Sequence, residues 1–334
     1  MSIRPGPDKE SSHPLASLRG VTSTTPDRLR IAAINFLNPA PLMWDFEHPP
    51  LASELALRYQ INRMSPSECA ARLASGDADI GLVPIAALAT ISGPGNGPGL
   101  RILPGCTIAS KGKVRSLLLV RRAAQSLTDL RSVAADTASR TTVTYARILF
   151  HKWGNPAVPF QPMAADLDAM LDQADAAILI GDPALLALEE RANRFERTNE
   201  ELVYHDLAEE WVNLTGLPFV SAVWGIAASV GPLVPGPLVP DPSVPGPSVP
   251  VSLDRISNDF IQSRIHGLEN IETLVHEWSA KLPVPEKTLR TYLTTNIHYV
   301  LDEECIEGMR VFFRTAAELG ILPEYSFSTS ELAR

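Results

Sequence analysis

Between Thr137 and Thr144 the chain sets five hydroxyl side chains (Thr137, Ser139, Thr141, Thr142, Thr144) around one guanidinium, that of Arg140. An apolar run ending at Asp136 precedes them, and a helical pattern follows, with Val143, Ala146, Phe150 and Trp153 on one stripe. The unpaired N–H groups of a helix start carry partial positive charge and attract anions. One hydroxyl is enough to cap a helix, and five exceed that need. Ser139, Arg140, Thr141 and Thr142 therefore read as a cradle for a carboxylate, each charge-assisted hydrogen bond contributing roughly 1.5–3 kcal/mol. Arg140 either grips that ligand or turns outward to an acidic surface neighbour; the sequence leaves both open.

Three other strand-to-helix junctions have the same character: Asn38-Pro39, Val83-Pro84 and Gly181-Asp182. Ligands of open α/β sheets lie beyond the carboxyl ends of the strands, where helices begin. Asn38, Pro84, Gly181 and Asp182 thus join the candidate site. Asn38 is an N-cap residue type ahead of a proline suited to the first helical position. Asp182 also reads as a helix cap, with a general base as the alternative. The junctions hold no histidine or glutamate. His205 opens a strand and His151 lies late in a helix, so neither is assigned to the site.

The elements that must carry these junctions alternate. Leu29–Phe36 reads as a strand, followed by a helix over Pro39–Phe46; "LALRYQINRM" gives a second strand. "SPSECAARLASG" carries a capping box, Ser65 with Glu68, and a stop at Gly76. A buried strand then feeds a helix from Pro84. After the Gly/Pro loop 92–99 come two strand-like runs, then the βα unit of the hydroxyl cluster, a strand Ala176–Ile180, and a β run Phe219–Ala227. Such alternation predicts an α/β fold with parallel strands. Helices alone are expected over 253–280, 285–296 and 302–318. Residues 231–251 repeat a five-residue Pro-rich unit four times and read as a polyproline surface loop.

The chain's 334 residues and 45% apolar content suit a two-domain globular protein. A net charge of −9 argues against nucleic acid as partner, while a small anion can still be held locally. Cys69, Cys106 and Cys305 lie far apart without metal-site spacing. No apolar run approaches membrane-spanning length, and residues 1–27 read as a disordered lead-in without a secretory pattern. A cytoplasmic location with no membrane association is expected.

The segments "INFLNPAPL", "PSECAARLASGDADIGLVPIAAL", "VRSLLLVRR", "DTASRTTVTYARIL", "DAAILIGDPAL" and "YHDLAEEWVNLTGLPFVSAVW" together resemble the chorismate dehydratase family of the futalosine route to menaquinone. The resemblance is strong over residues 28–228 and looser beyond. It implies a two-lobed fold like the type II periplasmic binding proteins, with a ligand cleft between lobes. One lobe would comprise 28–115 and 220–334, the other 116–219, with crossings near Val114–Leu119 and Phe219–Trp224. It further implies chorismate as a dicarboxylate substrate and no metal or organic cofactor. Asn38 and Ser116 match the family's asparagine and serine, as catalytic residues. Two rival expectations remain: the sister 1,4-dihydroxy-6-naphthoate synthase, and a non-enzymatic binder of small carboxylates.

Overall fold

Among the residues the computed structural model describes (28–91, 99–138, 140–230 and 252–327), ten strands form two five-stranded sheets. The expected lead-in, most of the Gly/Pro loop, Ser139 and the proline tract lie outside the described residues. The first sheet contains β1 (Leu29–Ile34), β2 (Tyr59–Met64), β3 (Ile80–Pro84), β4 (Leu100–Ser110) and, much later, β10 (Phe219–Ala227). The second contains β5 (Leu117–Arg122), β6 (Val133–Asp136), β7 (Phe160–Met163), β8 (Ala176–Ile180) and β9 (Leu202–Asp206).

Both sheets have one plan. Their orders are β2-β1-β3-β10-β4 and β7-β6-β8-β5-β9. In each, three neighbouring strands are parallel and the fourth runs antiparallel to both its neighbours. The all-parallel expectation fails at β5 and β10 for a topological reason. Each is the strand by which the chain enters a sheet from the other one. The chain leaves the first sheet after Ser110 and returns at Phe219.

Buried strands and tight junctions fix where the helices begin. The capping box is present: Ser65 Oγ accepts the Glu68 N–H, and the Glu68 carboxylate accepts the Ser65 N–H. The segment after β1 departs from expectation. It forms a 3₁₀ turn (Ala40–Met43) running into one α-turn (Trp44–Glu47), capped at Pro39 with no side-chain bond. Asn38 is therefore not a cap. The expected helix 253–280 divides at Asn270 into Leu253–Glu269 and Ile271–Ser279. Its first half docks on the turn after β1. A Cβ on Gly267 would lie 2.0 Å from the Pro41 carbonyl oxygen, so only glycine permits this approach. The helix expected over 285–296 becomes Glu286–Thr291 followed by a five-residue π-turn, Tyr292–Asn296.

Aromatic packing holds the second crossing. Tyr145, on the helix Arg140–Lys152, stacks on Phe219 at 3.8 Å and meets the edge of Trp211 at 4.8 Å. Its hydroxyl also accepts the Val220 N–H at 3.3 Å. The helix bearing the hydroxyl cluster is thus pinned to the first strand of the returning chain.

Candidate active site

Strand ends of both sheets meet at a cleft of about 460 Å³, its open mouth included, a size suited to a small ligand. Its walls are mostly apolar, with Ile34, Phe36 and Ile108 from one sheet and Leu117 and Ile180 from the other. Six of the expected site residues line it: Asn38, Pro84, Arg140, Thr141, Thr142 and Gly181. Ser116 and Asp182 sit behind that lining, and Ser139 is outside the described residues.

The hydroxyl cluster supplies less to the cleft than its composition suggests. Thr144 is buried and donates to the Arg140 carbonyl one turn back at 3.0 Å. Thr137 is exposed and does not line the cleft. Thr141 and Thr142 are buried and do. Thr141 Oγ1 accepts the Ala86 N–H at 3.1 Å, so it answers the start of the helix Ile85–Ile91 in the other half of the molecule. Its own hydroxyl proton remains available to donate. Arg140 is exposed at the lining, and among the described residues its guanidinium has no hydrogen-bond or ion-pair partner. Among the described residues, the outward pairing left open by the sequence does not form.

Asp182 does not cap its helix. The cap position is Ile180 and has no side-chain bond. The carboxylate instead accepts the Leu37 N–H at 3.0 Å, reaching from the end of β8 to the turn after β1. Burial pushes its pKa up to about 6, opposed by that hydrogen bond. Gly181 has φ +61, a conformation that disfavours any Cβ, and its own N–H bonds the Ser116 carbonyl at 2.8 Å.

Asn38 Oδ1 is buried with no hydrogen-bond partner among the described residues. Buried polar atoms are nearly always paired, so an unpaired carbonyl in a cleft wall marks a place for a ligand donor. Ser116, expected as a catalytic residue, is 1% exposed and stands outside the cleft lining. Its Oγ accepts the Tyr292 hydroxyl at 2.8 Å. Burial keeps the Tyr292 phenol protonated far above its ordinary range.

The first crossing is fixed by Asp206. Its Oδ2 accepts the N–H groups of Val114 and Arg115 at 3.0 and 2.7 Å, and its Oδ1 those of Ala208 and Glu209 at 3.1 and 3.2 Å. Arg115 has φ +67, unusual for a residue with a side chain, and this turns two consecutive N–H groups toward one oxygen. Ser116 follows immediately.

A family model described as menaquinone biosynthesis matches residues 29–318. The chain belongs to that family. A chorismate dehydratase of Thermus thermophilus is 32% identical over 133 residues, which are 37% of this chain and 47% of that protein. The chain thus spans about half the length of this curated relative. A crystal structure of an Archaeoglobus fulgidus protein is similar at TM-score 0.63 and 14% identity, covering 90% of this chain and 100% of that one. An alkanesulfonate-binding protein of Xanthomonas axonopodis pv. citri bound to MOPS gives 0.61 and 14%, covering 92% and 99%. A Candida albicans protein described as having the generic periplasmic binding protein fold gives 0.58 and 14%, covering 90% and 92%. At such identities the likeness shows the fold, and this member of the menaquinone biosynthesis family has the periplasmic-binding-protein fold.

Within this family member, sequence reasoning missed Phe36, Ser221 and Tyr292. Ser221 is the extra residue of a β-bulge: Val220 pairs with Ala109 and Ala222 with Ile108. A bulge re-aims one side chain, and Ser221 lines the cleft. The signal was available, as one polar residue inside the apolar run "FVSAVW". Phe36 could have been suspected as an aromatic directly after the first strand. Tyr292 offered no local signal. No helix among the described residues is long and apolar enough to cross a membrane. Ligand-type side chains do gather at His298, Asp302 and Cys305, away from the cleft lining. There Lys111 Nζ already holds Asp302 Oδ2 at 2.9 Å.

Proposed function

We propose that this chain dehydrates chorismate to 3-[(1-carboxyvinyl)oxy]benzoate and water. The observation that carries the reading is the unpartnered Asn38 carbonyl in a cleft that also presents Arg140, Thr141 and Thr142. Chorismate has two carboxylates for the arginine and the hydroxyls, and a C4 hydroxyl that can donate to Asn38. Membership of the menaquinone family and the partial match to a chorismate dehydratase support the assignment.

The reaction breaks the C3–H and C4–O bonds, and the ring becomes aromatic. Aromatisation supplies the driving force, so the protein's tasks are orientation and stabilisation of developing charge. The described cleft lining contains no histidine, glutamate or aspartate. In this reading a carboxylate of the substrate itself removes the C3 proton and hands it to the departing C4 hydroxyl, which leaves as water. Asp182 lies behind Gly181, with one oxygen committed to Leu37. We place the reaction in the cytoplasm, a setting that suits three buried, unpaired thiols.

The test is direct. Purified protein incubated with chorismate should yield a product 18 mass units lighter, identified by chromatography against authentic 3-[(1-carboxyvinyl)oxy]benzoate. Chorismate recovered intact after hours with equimolar protein would end the proposal.

A further inference from the structure

The second sheet ends at β9, which pairs with β5 on one side only. The ladder fixes which main-chain groups are left over. Ala123 N–H bonds the Glu201 carbonyl at 2.9 Å, and along an antiparallel strand every second residue turns to the same neighbour. Glu201, Val203 and His205 therefore face β5. The N–H and C=O groups of Leu202 and Tyr204 point outward, without a partner among the described residues. Two other edges are protected, as exposed edges usually are. At β4 the N–H groups of Thr107 and Ala109 bond the carbonyls of Tyr299 and His298, and β7 carries Pro162.

Beside the β9 edge lies a hollow of about 630 Å³, its open mouth included. Leu202 and Tyr204 line it, with Arg194 and Phe195 of the helix Arg191–Thr198. That helix has no buried residue, although short helices depend on packing an apolar side. Phe195 is 48% exposed. Arg194 Nη1 is buried without an acceptor among the described residues, which is rare for such a group. The hollow thus lacks an apolar cover and a hydrogen-bond acceptor.

The strand's own sequence fits a second copy. Glu201-Leu202-Val203-Tyr204-His205 is self-complementary when turned about Val203. In an antiparallel pair centred there, Leu202 stands opposite Tyr204 of the other copy, and Glu201 opposite its His205. Aliphatic–aromatic and opposite-charge pairs are favourable at such positions. Arg121 Nε donates to His205 Nε2 at 3.1 Å, and neither Arg121 nor the exposed Glu201 has an ion-pair partner among the described residues. The incoming carboxylate would meet that guanidinium.

We propose that β9 is a dimerisation edge: two copies of this chain pair β9 with β9 about a two-fold axis at Val203, joining their second sheets into one. Each Leu202–Tyr204 pair exchanges main-chain hydrogen bonds in both directions. The tyrosine of each copy enters the other's hollow, where its hydroxyl oxygen supplies the acceptor that Arg194 lacks. The contact is isologous and closes on itself. None of these residues lines the cleft, so both clefts stay open.

The experiment uses the full chain. Sedimentation equilibrium should show the mass rising to twice that of one chain between about 1 and 100 µM. Val203→Cys sets two thiols opposite each other at a non-hydrogen-bonded pair, where Cβ atoms stand about 4.5–5.5 Å apart. Mild oxidation should then give a covalent dimer, and the native thiols, all buried, do not compete. Glu201→Cys controls the register: its copies lie at least roughly 13 Å apart along the sheet and should not cross-link. Glu201→Lys brings like charge to Arg121 and should raise the dissociation constant about ten-fold or more. Leu202→Pro removes an outward N–H, leaves the β5 ladder intact and should abolish association. If the proline variant folds poorly, the exposed lysine change carries the test.

A wild type that stays monomeric at about 100 µM, or association unchanged in both variants, overturns the inference. So does cross-linking of Glu201→Cys in place of Val203→Cys. Slow amide exchange at Leu202 and Tyr204 in a monomer would show the edge occupied by another segment of the same chain, and would overturn it too.

Discussion

The Asp182 carboxylate accepts the Leu37 N–H at 3.0 Å, a bond between the helix start after β8 of one sheet and the turn after β1 of the other. It joins the two walls of the cleft behind Gly181 and beside Asn38. Because burial pushes the Asp182 pKa up to about 6, this latch is sensitive to pH. A carboxyl raised above its unfolded value contributes stability that is fully present below pH ~4 and lost as pH rises through ~6. Asp182→Asn keeps an acceptor for Leu37 and removes the ionisation. Its melting temperature should match the wild type near pH 4 and exceed it above pH 7, by the equivalent of at most about 3 kcal/mol. Thermal melts across that range check it; a difference independent of pH would show that Asp182 does not titrate there.

Arg140 stands at the lining without a protein partner among the described residues. A guanidinium gripping a ligand carboxylate is lost in Arg140→Gln with the fold intact. Affinity for chorismate should fall about ten-fold or more, with kcat nearly unchanged. Since the side chain is exposed, high salt should shrink the difference between variant and wild type. Titrations at two salt concentrations decide it, and a salt-independent difference would place the effect elsewhere.

Elements with local causes were legible in the sequence. The capping box at Ser65 and Glu68 needs only residues three apart, and the strand Ala176–Ile180 needs only its own apolar run. The junction rule located Asn38, Pro84, Thr141, Thr142 and Gly181 because strand ends face one cleft whenever the order reverses. What failed was anything set by distant partners. Asp182 resembles a cap, yet its carboxylate accepts the N–H of Leu37, 145 residues away. Ser116 is held by Tyr292, 176 residues away. Asn38 precedes a proline as a cap would, but the 3₁₀ turn it enters starts two residues later and leaves its amide at the cleft lining. No local pattern encodes such pairings.

Gly181 marks how closely the two sheets approach. A Cβ at this position would lie 2.6 Å from Phe36 Cδ2 on the opposite wall, and its φ of +61 already disfavours a side chain. Gly181→Ala should therefore cost about 2 kcal/mol or more, through overpacking and backbone strain, and raise KM by shifting Phe36 at the lining. Adding Phe36→Leu makes room and should recover part of the loss, while the backbone strain stays. Full recovery would show that sterics alone matter; no recovery would remove Phe36 from the account.

Asn38→Ala separates catalysis from binding. If the Asn38 carbonyl mainly orients the C4 hydroxyl for departure, turnover should fall about ten-fold or more, the loss expected for one well-placed hydrogen bond. The dissociation constant for the product should change only a few-fold, because the carboxylates are held by Arg140 and the threonines. Parallel kinetics and calorimetry give both numbers. Equal losses in the two would assign Asn38 to ground-state binding instead.

Asp206 makes the most exacting demand on the fold. One carboxylate serves two segments: Oδ2 holds Val114 and Arg115 of the first crossing, and Oδ1 holds Ala208 and Glu209 at the start of the helix that leads to the second. An alanine leaves four N–H groups without their acceptor, and Asp206→Ala should lower stability by at least about 3 kcal/mol in urea denaturation. Asp206→Asn is more informative, because an amide has one accepting oxygen. Whichever way it turns, its NH₂ group confronts a pair of N–H donors, so one segment loses its anchor. If the helix cap is kept, the Val114–Arg115 turn loosens, and Ser116 directly after it loses its fixed position opposite Tyr292. The Asp206→Asn variant, assayed well below its melting temperature, should then show turnover reduced at least ten-fold with product affinity within a few-fold of wild type. Full turnover in the folded variant would mean that Ser116 is placed without help from the crossing.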